Sequence, residues 1–67
     1  MYAITHKTKK GGSGVMTTND IEELKKKVRS LFKQRLEATV YKDGETIGRV
    51  WQDDSQRLGW NYSIEND

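Results

Sequence analysis

The chain has 67 residues, which leaves room for one small domain with a thin core. It contains no Cys, which excludes disulfides, zinc–thiolate sites and thiol chemistry, and no apolar run approaches the roughly 18 residues of a membrane span. The formal net charge is +2, but residues 1–35 carry nine Lys or Arg and three Asp or Glu, whereas residues 36–67 carry three and seven. This split differs from the uniform charge of a nucleic-acid coat protein and suits an electrostatically steered partner.

The first predicted element is a β-hairpin over residues 1–18. Residues 2–8 alternate with a period of two, which is typical of a strand, and residues 15–18 are rich in β-branched side chains. Residues 9–14 contain three glycines and are predicted to form a flexible turn. Such a glycine-rich loop can bind an anion through its backbone amides. The P-loop spacing is missing, however, and a strand follows, so a hairpin loop is favoured.

One helix is predicted over residues 19–34. Asn19 is the expected N-cap, with Glu22 placed to bond back to it. Acidic residues in the first turn, and Lys33 and Arg35 near the last, complement the helix dipole. The apolar residues fall within an arc of roughly 100° and should face a core. These residues are Ile21, Leu24, Val28, Leu31 and Phe32.

Residues 35–65 are predicted to form a three-stranded antiparallel meander. Asp43-Gly44 is a strong two-residue hairpin turn, and residues 53–56 form an expected four-residue turn. The first turn pairs Lys42 with Glu45 and Val40 with Ile47, and the second pairs Gln52 with Arg57. The two registers place nine largely apolar residues on one face. These are Leu36, Ala38, Val40, Ile47, Trp51, Leu58, Trp60, Tyr62 and Ile64. The chain is therefore predicted to be an α+β domain of order ββαβββ, with the helix packed on that face.

Arg49 is the exception on the predicted apolar face, where it would pair with Ala38 and Trp60. A long cation there can stack on the indole or extend to the edge of the sheet. The opposite face is polar or small and is expected to meet solvent.

Few residues have the pattern of a catalytic or metal site. His6 is the only histidine and has no acid or nucleophile near it in sequence, so a strand residue is favoured over a base or ligand. Asp53 and Asp54 are adjacent carboxylates, but calcium loops need more oxygen ligands and both residues suit a turn. We expect no catalysis, no cofactor and no metal.

The uncovered face of the sheet is the first candidate binding surface. Tyr41 is a plausible aromatic anchor there for a protein partner. The candidate protein-binding residues are Tyr41, Val50, Thr39, Asn61, Asp53 and Asp54. The predicted function is a small non-enzymatic module that binds, inhibits or modulates another protein. Size and composition suit an accessory protein of a bacteriophage or mobile element, and the split charge also allows an antiparallel homodimer.

The basic side of the helix is the second candidate surface. Phosphate contacts would come from Lys25, Lys26, Arg29 and Lys33, together with Lys9 and Lys10. A solvated helix face explains the same charges, with Glu22 pairing with Lys26 and Glu23 with Lys27, each four residues apart. No helix-turn-helix or RNP pattern is present.

Trp51, Trp60 and Tyr62 would stack nucleic-acid bases only if the helix left them uncovered, so a core role is favoured. The predicted location is the cytoplasm, because small domains without disulfides suit a reducing compartment and residues 1–10 lack the apolar stretch of a signal peptide. No membrane partner is expected.

Overall fold

The computed structural model describes residues 1–65. Its elements in chain order are β1 (Tyr2–Lys7), β2 (Ser13–Thr18), α1 (Ile21–Gln34), β3 (Ala38–Lys42), β4 (Glu45–Gln52) and β5 (Trp60–Ile64). The strands form one antiparallel sheet in the order β2-β1-β3-β4-β5, and α1 packs on one face of it. The predicted fold class and element order are confirmed.

Strand β1 lies in the interior of the sheet, a position that the sequence left open. Ile4 pairs with Met16 of β2 on one side and with Val40 of β3 on the other. Beyond the end of this ladder, the Lys7 amide donates to the Glu37 carbonyl oxygen at 2.9 Å. The N-terminal hairpin and the meander therefore share one sheet and one core.

The turn between β1 and β2 is shorter than predicted and is hydrogen-bonded. Ser13 already belongs to β2. The Gly12 amide donates to the Thr8 hydroxyl at 3.1 Å, and the Gly11 amide donates to the Thr8 carbonyl at 3.0 Å. These two amides already have acceptors within the turn. They are therefore not available as donors to a bound anion.

The N-cap of helix α1 lies one residue later than predicted. Asp20, not Asn19, is the N-cap, and its carboxylate accepts from the Glu22 amide at 2.9 Å. The Asp20 amide donates to the Thr18 hydroxyl at 3.1 Å, which carries the extended conformation past Asn19. The helix ends at Arg35, whose left-handed φ of 57° lets the following Leu36 amide donate back to the Leu31 carbonyl oxygen at 3.1 Å.

The core lies between α1 and the sheet. The predicted apolar stripe of the helix faces it, with Leu24, Val28 and Leu31 buried, and the ring of Phe32 lies 4.8 Å from that of Tyr62. The buried residues of the core are Ile4, Leu24, Val28, Leu31, Ala38, Val40, Ile47 and Val50. Within residues 1–65, no helix is both long and apolar enough to cross a membrane.

The hairpin between β3 and β4 begins as predicted and then departs from simple alternation. Asp43 and Gly44 form the turn with φ of 50° and 90°, and Lys42 pairs with Glu45. The register shifts after Tyr41, so that Val40 pairs with Gly48 and not with the predicted Ile47. This β-bulge turns Ile47 and Gly48 together towards the helix, and both are buried.

After the bulge, each side chain of β4 lies on the opposite face of the sheet from the one predicted. Val50, predicted on the solvent face, pairs with Ala38 beneath the helix and is only 2% exposed. Arg49 and Trp51, predicted on the apolar face, point to the opposite side of the sheet. The predicted pairs of Ala38 with Arg49 and of Arg49 with Trp60 are wrong, because one extra residue inverts every later side chain.

The connection between β4 and β5 is also longer than predicted. Residues 53–59 form it, closed by the Asp53 amide donating to the Gly59 carbonyl at 2.8 Å, and Gln52 pairs with Trp60. Leu58, predicted to face the core, lies in this loop and is 62% exposed. Trp60, Tyr62 and Ile64 pack against the core, as predicted.

Candidate binding surface

The side of the sheet opposite α1 carries no covering element within residues 1–65, and we call it the open face. Its central row crosses all five strands through Val15, Thr5, Thr39, Arg49 and Ser63. Hydroxyl groups dominate the face. Its strand residues are Ala3, Thr5, Lys7, Ser13, Val15, Thr17, Thr39, Tyr41, Thr46, Arg49, Trp51, Asn61 and Ser63. Such a face can form hydrogen bonds in many directions while carrying little charge.

A stacked pair of side chains extends from the central row towards one end of the open face. Arg49 and Trp51 are two residues apart on β4, so their side chains leave the strand on the same side. The guanidinium carbon of Arg49 lies 4.3 Å from the centre of the Trp51 ring. Trp51 is half-buried and Arg49 is exposed. The contact holds an aromatic surface and a cation side by side, where both remain accessible.

The stacked pair forms part of a shallow groove of about 580 Å³. Thr5 and Thr39 lie among its lining residues, and Lys7 and Glu37 bring charges of opposite sign. With Arg49, the groove has two cations and one carboxylate. It therefore suits a ligand that combines an apolar group with acidic and hydrogen-bonding groups.

The structure brings most of the predicted protein-binding residues to this region. Thr39, Tyr41 and Asn61 are half-buried on the open face. Asp53 and Asp54 follow directly after β4, at the end of the face that carries Trp51. Val50 is the exception: it cannot contact a partner there, because it lies in the core.

Asp53 has a structural role in its loop. Its carboxylate accepts hydrogen bonds from the hydroxyl and the amide of Ser55, the latter at 3.0 Å. These bonds, led by the one from the Ser55 hydroxyl, lower the pKa of Asp53. Asp53 therefore shapes the turn, as its sequence context predicts, and Asp54 stays exposed beside it.

Sequence reasoning did not place Arg49 and Trp51 on the open face, and it considered Trp51 only as a residue that could stack on nucleic-acid bases. Arg49 and Trp51 were placed under the helix because the alternation was continued through the bulge. One signal was present: strict alternation put the cation of Arg49 into an apolar core, which is costly for a charged group. A glycine directly before it, Gly48, is a residue that often marks a bulge.

The basic residues of α1 lie on its outer side. Lys26, Arg29 and Lys33 are exposed, whereas Lys25 lies 4.0 Å from Glu22. Glu22 thus pairs with Lys25 and not with the predicted Lys26. The second predicted pair, Glu23 with Lys27, is present at 3.5 Å. These are surface contacts that contribute little to stability.

The remaining two lysines of this candidate set occupy a different element. Lys9 and Lys10 are exposed in the turn between β1 and β2. The helix starts beside the far end of β2 and finishes beside β5, where Phe32 meets Tyr62. The lysines of the turn and the stripe on α1 therefore belong to two different elements.

His6 faces the helix side of the sheet. Its Nδ1 lies 3.0 Å from the Lys7 carbonyl oxygen, and its ring covers Gly14 so closely that a Cβ there would meet it at 2.8 Å. Among residues 1–65, no three His, Asp or Glu side chains are grouped so as to hold a metal ion.

The fold and the surface together define a five-stranded antiparallel sheet backed by one helix, with the other face bare. Comparison of the chain with protein-family models, curated proteins and solved structures found no match.

Proposed function

We propose that this protein is a small non-enzymatic binding module whose open face takes a protein partner and thereby inhibits or modulates it. The observation that carries the proposal is the Arg49–Trp51 stack at the wall of a groove, on a face that nothing within residues 1–65 covers. Trp, Tyr and Arg are the residues that most often dominate the energy of protein interfaces. Tyr41, half-buried on the same face, adds a third.

The charges of the groove favour a protein over a nucleic acid. A run of phosphates needs several cations and is repelled by carboxylates, yet Glu37 lines the groove beside Lys7 and Arg49. The rest of the face offers hydroxyl and amide groups, which suit backbone and side-chain hydrogen bonds. The partner that fits presents an apolar side chain next to a carboxylate, so that the first packs on Trp51 and the second meets Arg49.

Affinity capture with matched variants tests the proposal. The native protein, Trp51→Ala and Tyr41→Ala would each be used to capture proteins from cells that make the protein, and bound proteins would be quantified by mass spectrometry. We expect a specific partner that Trp51→Ala reduces by at least about tenfold, the loss of about 1.4 kcal/mol of binding free energy. Lys26→Glu on the outer side of α1 is the control and should retain the partner.

The competing function is nucleic-acid binding through Lys26, Arg29 and Lys33, which α1 exposes in a row. Fluorescence anisotropy with labelled duplex DNA, single-stranded DNA and RNA at two salt concentrations measures it directly. Binding that weakens steeply with salt and disappears when the three charges are reversed, while Trp51→Ala has no effect, would replace the open-face proposal. A partner captured equally by the native and Trp51→Ala proteins would also contradict the open-face proposal.

A further inference from the structure

The sheet ends in two edge strands, β2 and β5, that differ in protection. An edge strand exposes unpaired backbone groups unless charges, proline, a bulge or a side chain block them. On β5, the Asn61 side chain accepts from the Tyr62 amide at 2.8 Å and so occupies that donor. β2 has the sequence SGVMTT, without charge or proline, and pairs with β1 without a register shift from Ser13 to Thr18.

Strand β2 also presents an apolar side chain. Val15 lies at its middle on the open face and is 68% exposed. A straight, neutral, unblocked edge with an exposed β-branched residue is a template for further strand pairing.

We propose that β2 pairs antiparallel with β2 of a second copy of this chain, joining two five-stranded sheets into one. A two-fold axis perpendicular to the sheet relates the copies, so the interface uses the same strand twice. Both helices then lie on one side of the joined sheet, and both open faces lie on the other. The proposal does not rest on the groove function, because Ser13 is the one residue of β2 among those that line the groove.

The pleat limits the register of this pairing. Residues opposite each other must lie on the same face, so the residue nearest the axis lies opposite its own copy and the axis passes between the two. An axis between the two copies of Val15 places these exposed valines opposite each other and covers the large apolar side chain that the edge exposes. The same register brings Ser13 opposite Thr17 of the second copy.

The charges at the two ends of β2 support a second copy as the occupant. Lys9 and Lys10 precede the strand, and Asp20, Glu22 and Glu23 follow it. An antiparallel pair about Val15 brings Lys10 of each copy towards Asp20 of the other. Self-pairing therefore matches opposite charges at both ends of the interface, and this attraction should weaken as salt rises.

Analytical ultracentrifugation of the full chain tests the proposal. Sedimentation equilibrium would be run at low salt from about 10 µM to about 1 mM protein, the range in which a small interface forms. We expect the mean mass to rise with concentration from the monomer value of 7.8 kDa towards twice that value. Added salt should lower the dimer fraction, and hydrogen exchange should show concentration-dependent protection of β2 amides.

Two variants with matched controls assign the interface. Val15→Lys sets two ammonium groups opposite each other and should abolish the dimer, whereas Thr46→Lys adds the same charge to the open face away from β2 and should keep it. Lys10→Glu should weaken the dimer by repelling Asp20, whereas Lys26→Glu makes the same change on α1 and should not. Circular dichroism checks that each variant is folded.

If the protein stays monomeric at the highest concentration and low salt, the dimer proposal is wrong, and the edge of β2 is open to other molecules. A dimer that forms equally with Val15→Lys also overturns it, because the interface then lies elsewhere.

Discussion

At the scale of single residues, three neighbours on β4 have different environments although strands favour all of them. Arg49 is exposed, Val50 is 2% exposed in the core, and Trp51 is half-buried in the groove. Because successive side chains of a strand point to opposite faces, the single extra residue of the β-bulge decides which of the three can contact a partner.

Val50→Ala and Val15→Ala form a matched pair that tests this assignment. Val50→Ala should lower the free energy of unfolding by about 2 kcal/mol, because it leaves a cavity in the core. Val15→Ala, on the open face, should change it by less than about 0.5 kcal/mol. Urea unfolding at low protein concentration measures both. Equal losses would contradict the register, since unbroken alternation places both valines in solvent.

At the scale of elements, the β-bulge is the feature that shapes the binding surface. Beside the bulge, the approach of β5 needs a residue without a side chain at Gly48, since a Cβ there would collide with the Ser63 carbonyl oxygen and lie 3.1 Å from the Cα of Ile64. The close approach of β5 thus depends on this glycine. The bulge turns Arg49 and Trp51 towards the open face.

Gly48→Ala should therefore loosen the pairing of β4 with β5. We expect a loss of at least about 2 kcal/mol of unfolding free energy, because backbone atoms must move to make room. Hydrogen exchange would show faster exchange of β5 amides. Gly12→Ala is the control: its Cβ would lie 3.3 Å from the Thr8 hydroxyl oxygen, so only a side chain has to shift. Unchanged β5 amides in Gly48→Ala would argue against the close approach.

At the scale of the whole molecule, the charge difference between the two halves of the sequence becomes a charge difference between the two ends of the folded protein. Helix α1 starts at the end that also carries the Asp43–Gly44 turn, with its acidic first turn there, and finishes at the end that carries Lys7. At the acidic end, the N-terminal amine of Met1 lies 3.0 Å from the Asp43 carboxylate and lowers the pKa of that carboxyl. The two ends of the molecule therefore differ in sign, which favours antiparallel association.

The interior position of β1 makes folding a property of the entire chain. Ile4 is 1% exposed and contacts both neighbouring strands through backbone pairing. A truncated chain of residues 19–67 should be unfolded, because it loses two strands and exposes the edge of β3 and part of the core. Circular dichroism and the dispersion of the NMR spectrum check this. A truncated chain with native-like amide dispersion would show that the meander folds alone.

The binding surface could be predicted only in part, and the reason is specific. Simple alternation places three of the candidate residues on the open face, where the structure also has them. Thr39 and Tyr41 lie on β3, before the bulge, and Asn61 lies on β5. Arg49, Val50 and Trp51 follow the bulge, and their predicted faces are inverted. The charge of Arg49 against an apolar face was the one conflict in the sequence that indicated the error.

The sequence by itself determined the elements whose signals act over a few residues: the Asp43–Gly44 turn, the stripe of α1 and the order ββαβββ. These follow from the left-handed conformations of a two-residue turn and from the 3.6-residue period of a helix. Only the tertiary structure decided where β1 lies, where the register shifts and which side chains form the groove. These features depend on residues that are distant in sequence. The burial of Ile47 and the close packing of β5 against Gly48 both require the assembled sheet.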